Sequence, residues 1–319
     1  MKLGLDAMGG DFAPLEAVKG AATAASLHPG YSIVLFGDKH LIDEVCREEN
    51  ISKDLFEVVH CTEVIGMSEH PVKAFASKPD SSLNVGFGWL AARKIDAFIS
   101  AGNTGAMLVG TMQSVKAIEG VIRPCLTTIL PRENMRPGLL MDVGANSDVK
   151  PEHLQQFALL GSLYYKALFK VSHPKVGLLN IGEEAEKGSL LTKAAHALLK
   201  DTPGIQFEGN VEGRDLFNAN ADVIVTDGFT GNVIIKLCEG IYYKLAKRGV
   251  QDEFLDKFNF KHYGGSAILG VNAPAIVGHG ISKKDTFVKM IEMAAELVES
   301  NLISEMQQSF AGTSQISEQ

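Results

Sequence analysis

Short apolar runs recur along the chain and alternate with longer stretches in which apolar positions return every third or fourth residue. LGLD (3–6) precedes a helical period over 14–27, SIVLFG (32–37) one over 39–49, and FEVVHC (56–61) a loop and then one over 81–94. DAFISAG, GLLMDVG, VGLLNIG and DVIVTDG repeat the arrangement. These runs are apolar at consecutive positions and lack the alternation of a strand with one wet face. They therefore predict strands buried on both faces of a largely parallel sheet. Helices must then cover both faces, which makes the fold a doubly wound α/β sandwich in three layers, α/β/α.

No Gly/Ser linker divides the 319 residues, so the pattern reads as one α/β domain over 1–319. A helical excursion is expected at about 233–262, and the polar end, 311–319, reads as frayed. Ile234, Leu237, Cys238, Ile241 and Leu245 recur at three and four, predicting an amphipathic helix after GFTGN. Its stripe is expected to face the core or a second copy, because the charged stretch KRGVQDEFLDK follows it.

Composition narrows the function. A net charge of -8 argues against the basic footprint of a nucleic-acid binder, which would need clustered Lys and Arg. Cys46, Cys61, Cys125 and Cys238 form no CxxC pair and no zinc spacing, so they read as reduced, buried thiols of a cytoplasmic protein without a metal. Asp6 interrupts the first apolar run where a signal peptide would continue, and no apolar stretch reaches the roughly 18 residues of a spanning helix.

The candidate chemistry lies at the carboxyl ends of the strands, where ligands bind in an open parallel sheet. These ends read DAMGGD (6–11), SAGNTGA (100–106), DVGANSD (142–148), NIGEEAEKGS (180–189) and TDGFTGN (226–232). Each places glycine with Asn, Asp, Ser or Thr between a strand and a helix, a composition that cradles an anion on backbone N–H groups. The same residues also serve any tight turn. GxxxxGK[ST], a GxGxxG after the first strand and GxSxG are all missing, so ATP, NAD and an acyl-serine are unsupported and no cofactor is expected. Lys187 could neutralise phosphate or stand in water beside Glu183, Glu184 and Glu186. Asn232, Asn103 and Thr104 could bind oxygen or cap helices. His279, between glycines, could be an acid, a base or a packed imidazole.

DAMGGD with Ala13-Pro14, SAGNTGAM, MDVGAN, LLNIGEEAEKG, EGNVEGRDL, TDGFTGNV and YGGSAILGVNAPAIVGHG resemble, in order and over nearly the whole chain, the bacterial phosphate acyltransferases of phospholipid synthesis. The resemblance implies a fold like that of isocitrate and isopropylmalate dehydrogenases, a homodimer, and transfer of an acyl group from acyl carrier protein to inorganic phosphate. On that basis Lys187 is assigned to phosphate or oxyanion, and Asn232, with backbone N–H groups around Gly231, to the carbonyl oxygen. Asn103, Thr104, Gly105, Asn146, Gly182, Thr230, Gly231, Gly9 and Gly10 would shape the phosphate and substrate pocket. Asp6, Asp11, Asp227 and His279 would orient it. The segment between GFTGN and YGG is shorter and more charged than the apolar hairpin of many relatives. Ile241, Tyr242, Tyr243, Leu245, Phe254, Leu255, Phe258 and Phe260 still allow weak peripheral contact with the inner face of the plasma membrane.

Three other readings stay open. A phosphotransacetylase-like enzyme would use acyl-CoA, a related dehydrogenase would need dinucleotide contacts and clustered carboxylates, and a scaffold of the lipid-synthesis complex would need no chemistry.

Overall fold

The computed structural model describes residues 1–133, 135–259 and 263–311. The expected frayed segment from 312 onward, and Phe260 with the last positions of the helical excursion, lie outside these residues.

The chain opens with β1 (Lys2–Asp6), α1 (Leu15–Leu27), β2 (Ser32–Gly37), α2 (Lys39–Glu48), β3 (Phe56–His60), α3 (Pro71–Ser77), α4 (Ser82–Ala91), β4 (Ala97–Ser100) and α5 (Thr104–Gly110). It continues through β5 (Cys125–Leu130), β6 (Gly138–Met141), α6 (Pro151–Phe169), β7 (Lys175–Asn180), α7 (Leu190–Lys200), β8 (Gln206–Glu212), β9 (Val223–Val225), α8 (Gly228–Lys247) and α9 (Glu253–Asp256). It closes with β10 (Gly265–Leu269), β11 (Ala275–Gly278), α10 (Lys284–Glu299) and α11 (Leu302–Ala311).

Two compact units result, Met1–Ala117 with Phe260–Ile303 and Ile118–Asn259 with Ser304–Gln319. In the first, the strands run β3-β2-β1-β4-β11-β10 and are parallel up to β11, which pairs antiparallel with β10. In the second they run β5-β6-β9-β7-β8, parallel except for the antiparallel pair β5 and β6. Helices flank each mostly parallel sheet, as a doubly wound α/β/α sandwich requires.

The seven apolar runs become β1, β2, β3, β4, β6, β7 and β9. In six of them the side chains are withdrawn from water at consecutive positions, from Leu3 and Leu5 to Val223 and Val225, whereas β3, at the sheet edge, buries only Phe56 and exposes Glu57 and His60. The antiparallel strands β5 and β10 carry no such signal, and the edge strand β8 is half-exposed along most of its length. In the first unit Phe98 meets Phe36 and Phe87 edge-on at centroid distances of 5.7 and 5.0 Å. A Cβ at Gly86 in α4 would run into the Phe98 ring, so this packing offsets the roughly 1 kcal/mol that a helical glycine costs against alanine.

The stripe after GFTGN does not enter the core of this chain. Among the described residues of α8 only Gly228 and Gly231 are buried, whereas Leu237 is 60% and Ile241 48% exposed. Cys238, on the same helix, is half-exposed, unlike the buried Cys46, Cys61 and Cys125. Ile234 and Leu245 of the same stripe are half-buried, so the helix presents an apolar face that is covered in part. Phe254 and Phe258 pack edge-on against Phe217, at 5.9 and 5.0 Å, and are half-buried.

Phe98→Ala should lower the unfolding free energy by about 3–5 kcal/mol in a denaturant titration, the cost of emptying a fully buried aromatic site. A loss under about 1 kcal/mol would mean that the ring cluster is not a core of the first unit.

Candidate active site

The candidate residues gather on two sets of strand-end loops, one in each unit. In the first unit Leu5 lies level with Ile99, so β1 and β4 end side by side and Asp6 meets Ser100. Ser100 Oγ donates to Asp6 Oδ2 at 2.6 Å, the Met8 N–H donates to Oδ1 at 3.0 Å, and the Gly102 N–H donates to Ser100 Oγ at 2.9 Å. This chain of bonds ties DAMGGD to SAGNTG. Gly9 fits into it: a Cβ there would lie 2.6 Å from Asp6 Oδ2 and 2.7 Å from the Gly102 nitrogen. Gly10 takes φ +101°, which turns the Asp11 N–H onto the Gly280 carbonyl at 2.7 Å. Burial pushes the Asp6 carboxyl above its ordinary value of 3.8, although Ser100, Ser82 and the loop N–H groups pull it back.

Asn103 is the N-cap of α5, its Oδ1 accepting from the Ala106 N–H at 3.0 Å. Its Nδ2 donates to the carbonyls of Gly66, Met67 and Glu69 at 3.2, 3.2 and 3.0 Å. The amide is thus committed to the loop before α3. Thr104 stands exposed in the first turn, and Gly105 faces the Pro71 ring. His279 follows β11, half-buried, and its carbonyl accepts from the Ser282 N–H at 2.9 Å.

In the second unit β9 lies between β6 and β7, with Val225 level with both Met141 and Leu178. The loops carrying Asp142, Asp227 and Lys187 therefore leave neighbouring strand ends. Asp227 caps α8: Oδ1 accepts from the Thr230 N–H at 2.8 Å and Oδ2 from the Thr230 hydroxyl at 2.8 Å. The Gly228 N–H donates to the Asn146 carbonyl at 2.8 Å and the Gly231 N–H to the Asp227 carbonyl at 3.0 Å. Among the described residues, the Phe229 N–H is the first-turn donor left without a protein acceptor. Asn232 is exposed and donates one Nδ2 hydrogen to the Val143 carbonyl at 3.1 Å, which leaves it a second.

Lys187 is exposed on the β7 loop. The loop is held by Asn180 Nδ2, which donates to the Lys187 carbonyl at 3.1 Å, and the Lys187 stem lies over Gly182. No ion pair engages its ammonium among the described residues. Asn146 is buried and spends its Nδ2 on the Pro124 carbonyl and Asp142 Oδ2, both at 2.8 Å. The described residues hold no cluster of three His, Cys, Asp or Glu suited to a metal.

Two residues at the centre of these loops escape a reading of the loops one at a time, Ser100 and Asp142. The signal for Asp142 is its place: like Asp6, it follows an apolar strand directly and precedes a glycine-containing turn.

A family model described as "Fatty acid synthesis protein" matches residues 1–305. A "Phosphate acyltransferase" of Thermoanaerobacterium thermosaccharolyticum is 41% identical over 326 residues, covering 96% of this chain and 96% of that protein. One of Dictyoglomus turgidum is 39% identical, covering 93% and 94%. Among solved structures, a phosphotransacetylase from Streptococcus pyogenes superposes with a TM-score of 0.68 at 16% identity, covering 93% of this chain and 94% of that one. A putative 4-hydroxythreonine-4-phosphate dehydrogenase from Salmonella typhimurium reaches 0.54 at 11% identity, covering 93% and 99%. These two likenesses are of fold.

The raised Asp6 carboxyl makes a prediction about pH. Between 3.8 and its raised value the folded chain binds the proton more tightly than the unfolded one, so this residue's contribution to stability falls as pH rises through that window and is level above it. The stability of the wild type relative to Asp6→Asn should therefore be greatest below about pH 3.8 and decline across the window in denaturant titrations at stepped pH. A difference that grows with pH there would refute the assignment.

Proposed function

The chain belongs to the phosphate acyltransferases of fatty acid and phospholipid synthesis, enzymes that transfer an acyl group to phosphate, and from that premise we propose that its donor is an acyl carrier protein thioester. In this reading inorganic phosphate is the acceptor, Lys187 and Asn232 act on the reacting atoms, and no covalent acyl-enzyme forms.

The chemistry sets the requirements. A phosphate oxygen attacks the thioester carbonyl carbon, the carbonyl oxygen takes on negative charge, the carbon–sulfur bond breaks, and the thiolate leaves. Phosphate is nucleophilic at neutral pH, so the protein needs to hold one anion against a carbonyl and to stabilise a second negative charge as it develops. The observation that carries the proposal is the juxtaposition of the β7 and β9 ends. It sets an ammonium without an ion pair among the described residues on one loop, and an amide N–H and a backbone N–H without a described acceptor on the next. Lys187 would neutralise phosphate, while Asn232 Nδ2 and the Phe229 N–H would donate to the carbonyl oxygen. Gly231, whose own N–H is spent inside α8, would serve by its small size. Asn146, whose amide is bonded to the Pro124 carbonyl and to Asp142, would be a wall of the second unit's pocket, and Asn103, bonded to three backbone carbonyls, a wall of the first unit's loop set. Thr230 and Gly182 would line the second unit's pocket and Asp227 would orient it, while in the first unit Thr104, Gly9, Gly10 and Gly105 would line a loop set of their own, oriented by Asp6, Asp11 and His279.

The same reading makes the protein a cytoplasmic homodimer in which a second copy covers the α8 stripe. Leu237 and Ile241 are too exposed to be left in water over a long apolar face. No helix among the described residues is long and apolar enough to cross a membrane, and bilayer contact in this reading is peripheral.

Release of carrier-protein thiol from acyl carrier protein, with the acyl phosphate trapped by hydroxylamine, should depend on phosphate. Turnover with acyl-CoA alone would favour the phosphotransacetylase-like alternative, and none with either donor would favour the scaffold. Lys187→Ala should lower kcat by about 10²-fold or more, the scale of a lost oxyanion donor, and near-normal turnover would remove this lysine from the mechanism. Leu237→Lys should shift the sedimentation coefficient from dimer to monomer. An unchanged dimer would place the contact elsewhere.

A further inference from the structure

Asp142 is fully buried at the end of β6 and touches none of the atoms assigned to substrate. Its Oδ1 accepts from the N–H groups of Leu126, Gly144 and Ala145 at 3.1, 3.2 and 3.0 Å. Its Oδ2 accepts from the Asn146 N–H at 2.7 Å and from Asn146 Nδ2 at 2.8 Å. Residues 143–146 are therefore wrapped around one carboxylate. That turn carries the start of α8: the Asn146 carbonyl receives the Gly228 N–H, and the Val143 carbonyl receives Asn232 Nδ2. The backbone of Asp142 completes the seat, because a Cβ at Gly231 would run into its carbonyl oxygen.

We infer that Asp142 is a positioning residue, which fixes the direction of the Asn232 amide through the 143–146 turn. The inference rests on the proposed role of Asn232 at the carbonyl oxygen. An exposed Asn side chain rotates freely unless one of its groups is anchored. Here one N–H is held by the Val143 carbonyl, so the other keeps a constant direction and needs no reorganisation as charge develops. The Val143 carbonyl is in turn held by the turn, and the turn by the carboxylate. An amide in place of the carboxylate would present N–H groups to the Asn146 donors and lose one side of this anchorage.

The test is a double-mutant cycle on the purified full chain, with kcat and the KM for phosphate measured for the wild type, Asp142→Asn, Asn232→Ala and the double variant. Asp142→Asn should lower kcat by about 10–100-fold while leaving the KM for phosphate within about threefold. In the Asn232→Ala background the same change should cost less than about threefold, because the group it positions is gone. An equal fold-loss in both backgrounds would overturn the inference and leave the role of Asn232 standing. An unchanged kcat in Asn232→Ala alone would instead overturn the reading of Asn232, and the inference with it. If circular dichroism shows that Asp142→Asn does not fold, Gly231→Ala takes its place, since it pushes α8 off the Asp142 carbonyl while keeping the carboxylate bonds. Its loss should likewise shrink in the Asn232→Ala background, and an undiminished loss would overturn the inference.

Discussion

A carboxylate withdrawn from water has to be met by hydrogen-bond donors on every side, and for an aspartate that ends a buried strand the nearest donors are the N–H groups of its own following loop. Asp6 and Asp142 are both in this position. Each is solvated by its loop in place of water, and each loop is thereby bent back over the end of its strand. The glycines follow from that bend. Such tight seating leaves no room for a Cβ at Gly9, which would meet the Asp6 carboxylate and the Gly102 nitrogen, or at Gly231 of α8, which would meet the Asp142 carbonyl. The helix starts follow as well, because the Asn146 carbonyl at the end of the second curl receives the first N–H of α8.

Acting on phosphate with a chain of net charge -8 requires that charge be organised locally. Screening confines exposed charges to a Debye length of about 8 Å at physiological salt, so the total matters less than what lies at the strand ends. There the positive features are an exposed ammonium and the amino terminus of α8, a 20-residue helix whose dipole favours an anion at its first turn. The glutamates around Lys187 are exposed too, and water screens all of them. The role proposed for the lysine would therefore require an acyl donor that excludes water when bound across the loop.

The sheet was legible in the chain because parallel strands buried on both faces leave a run of consecutive apolar residues, and VGLLN or DVIV admits few other readings. The antiparallel pair of β10 and β11 was not, since the two strands are separated by a turn that resembles the functional loops. The division into two compact units leaves no compositional trace, because the chain passes at Ala117 and again at Asn259 without a linker. Within the candidate site, Asn232 and Lys187 could be singled out from their places after apolar strands. What Asn103 and Asn146 do with their amides could not, because a capping or bridging asparagine and a ligand-binding one are spelled alike. Asp142 was hidden for a related reason: an acid at an anion site looks like an obstacle until its five donors are seen.

The α8 helix joins these levels. Its first turn is locked against Asp142 and the 143–146 turn, whereas its stripe from Val233 through Leu237 to Ile241 faces outward along the same side at intervals of four residues. Spacing of four places these side chains about 6 Å apart along a rigid rod. A second copy seated on the stripe would brace the rod that carries Asn232, without touching a catalytic atom. By linkage, whatever stabilises α8 in its seat then favours association, and association favours the seated helix. An exposed apolar face is costly for a monomer, and if a second copy covers it, the proposed carbonyl site and the assembly of the protein would be tied through this one helix.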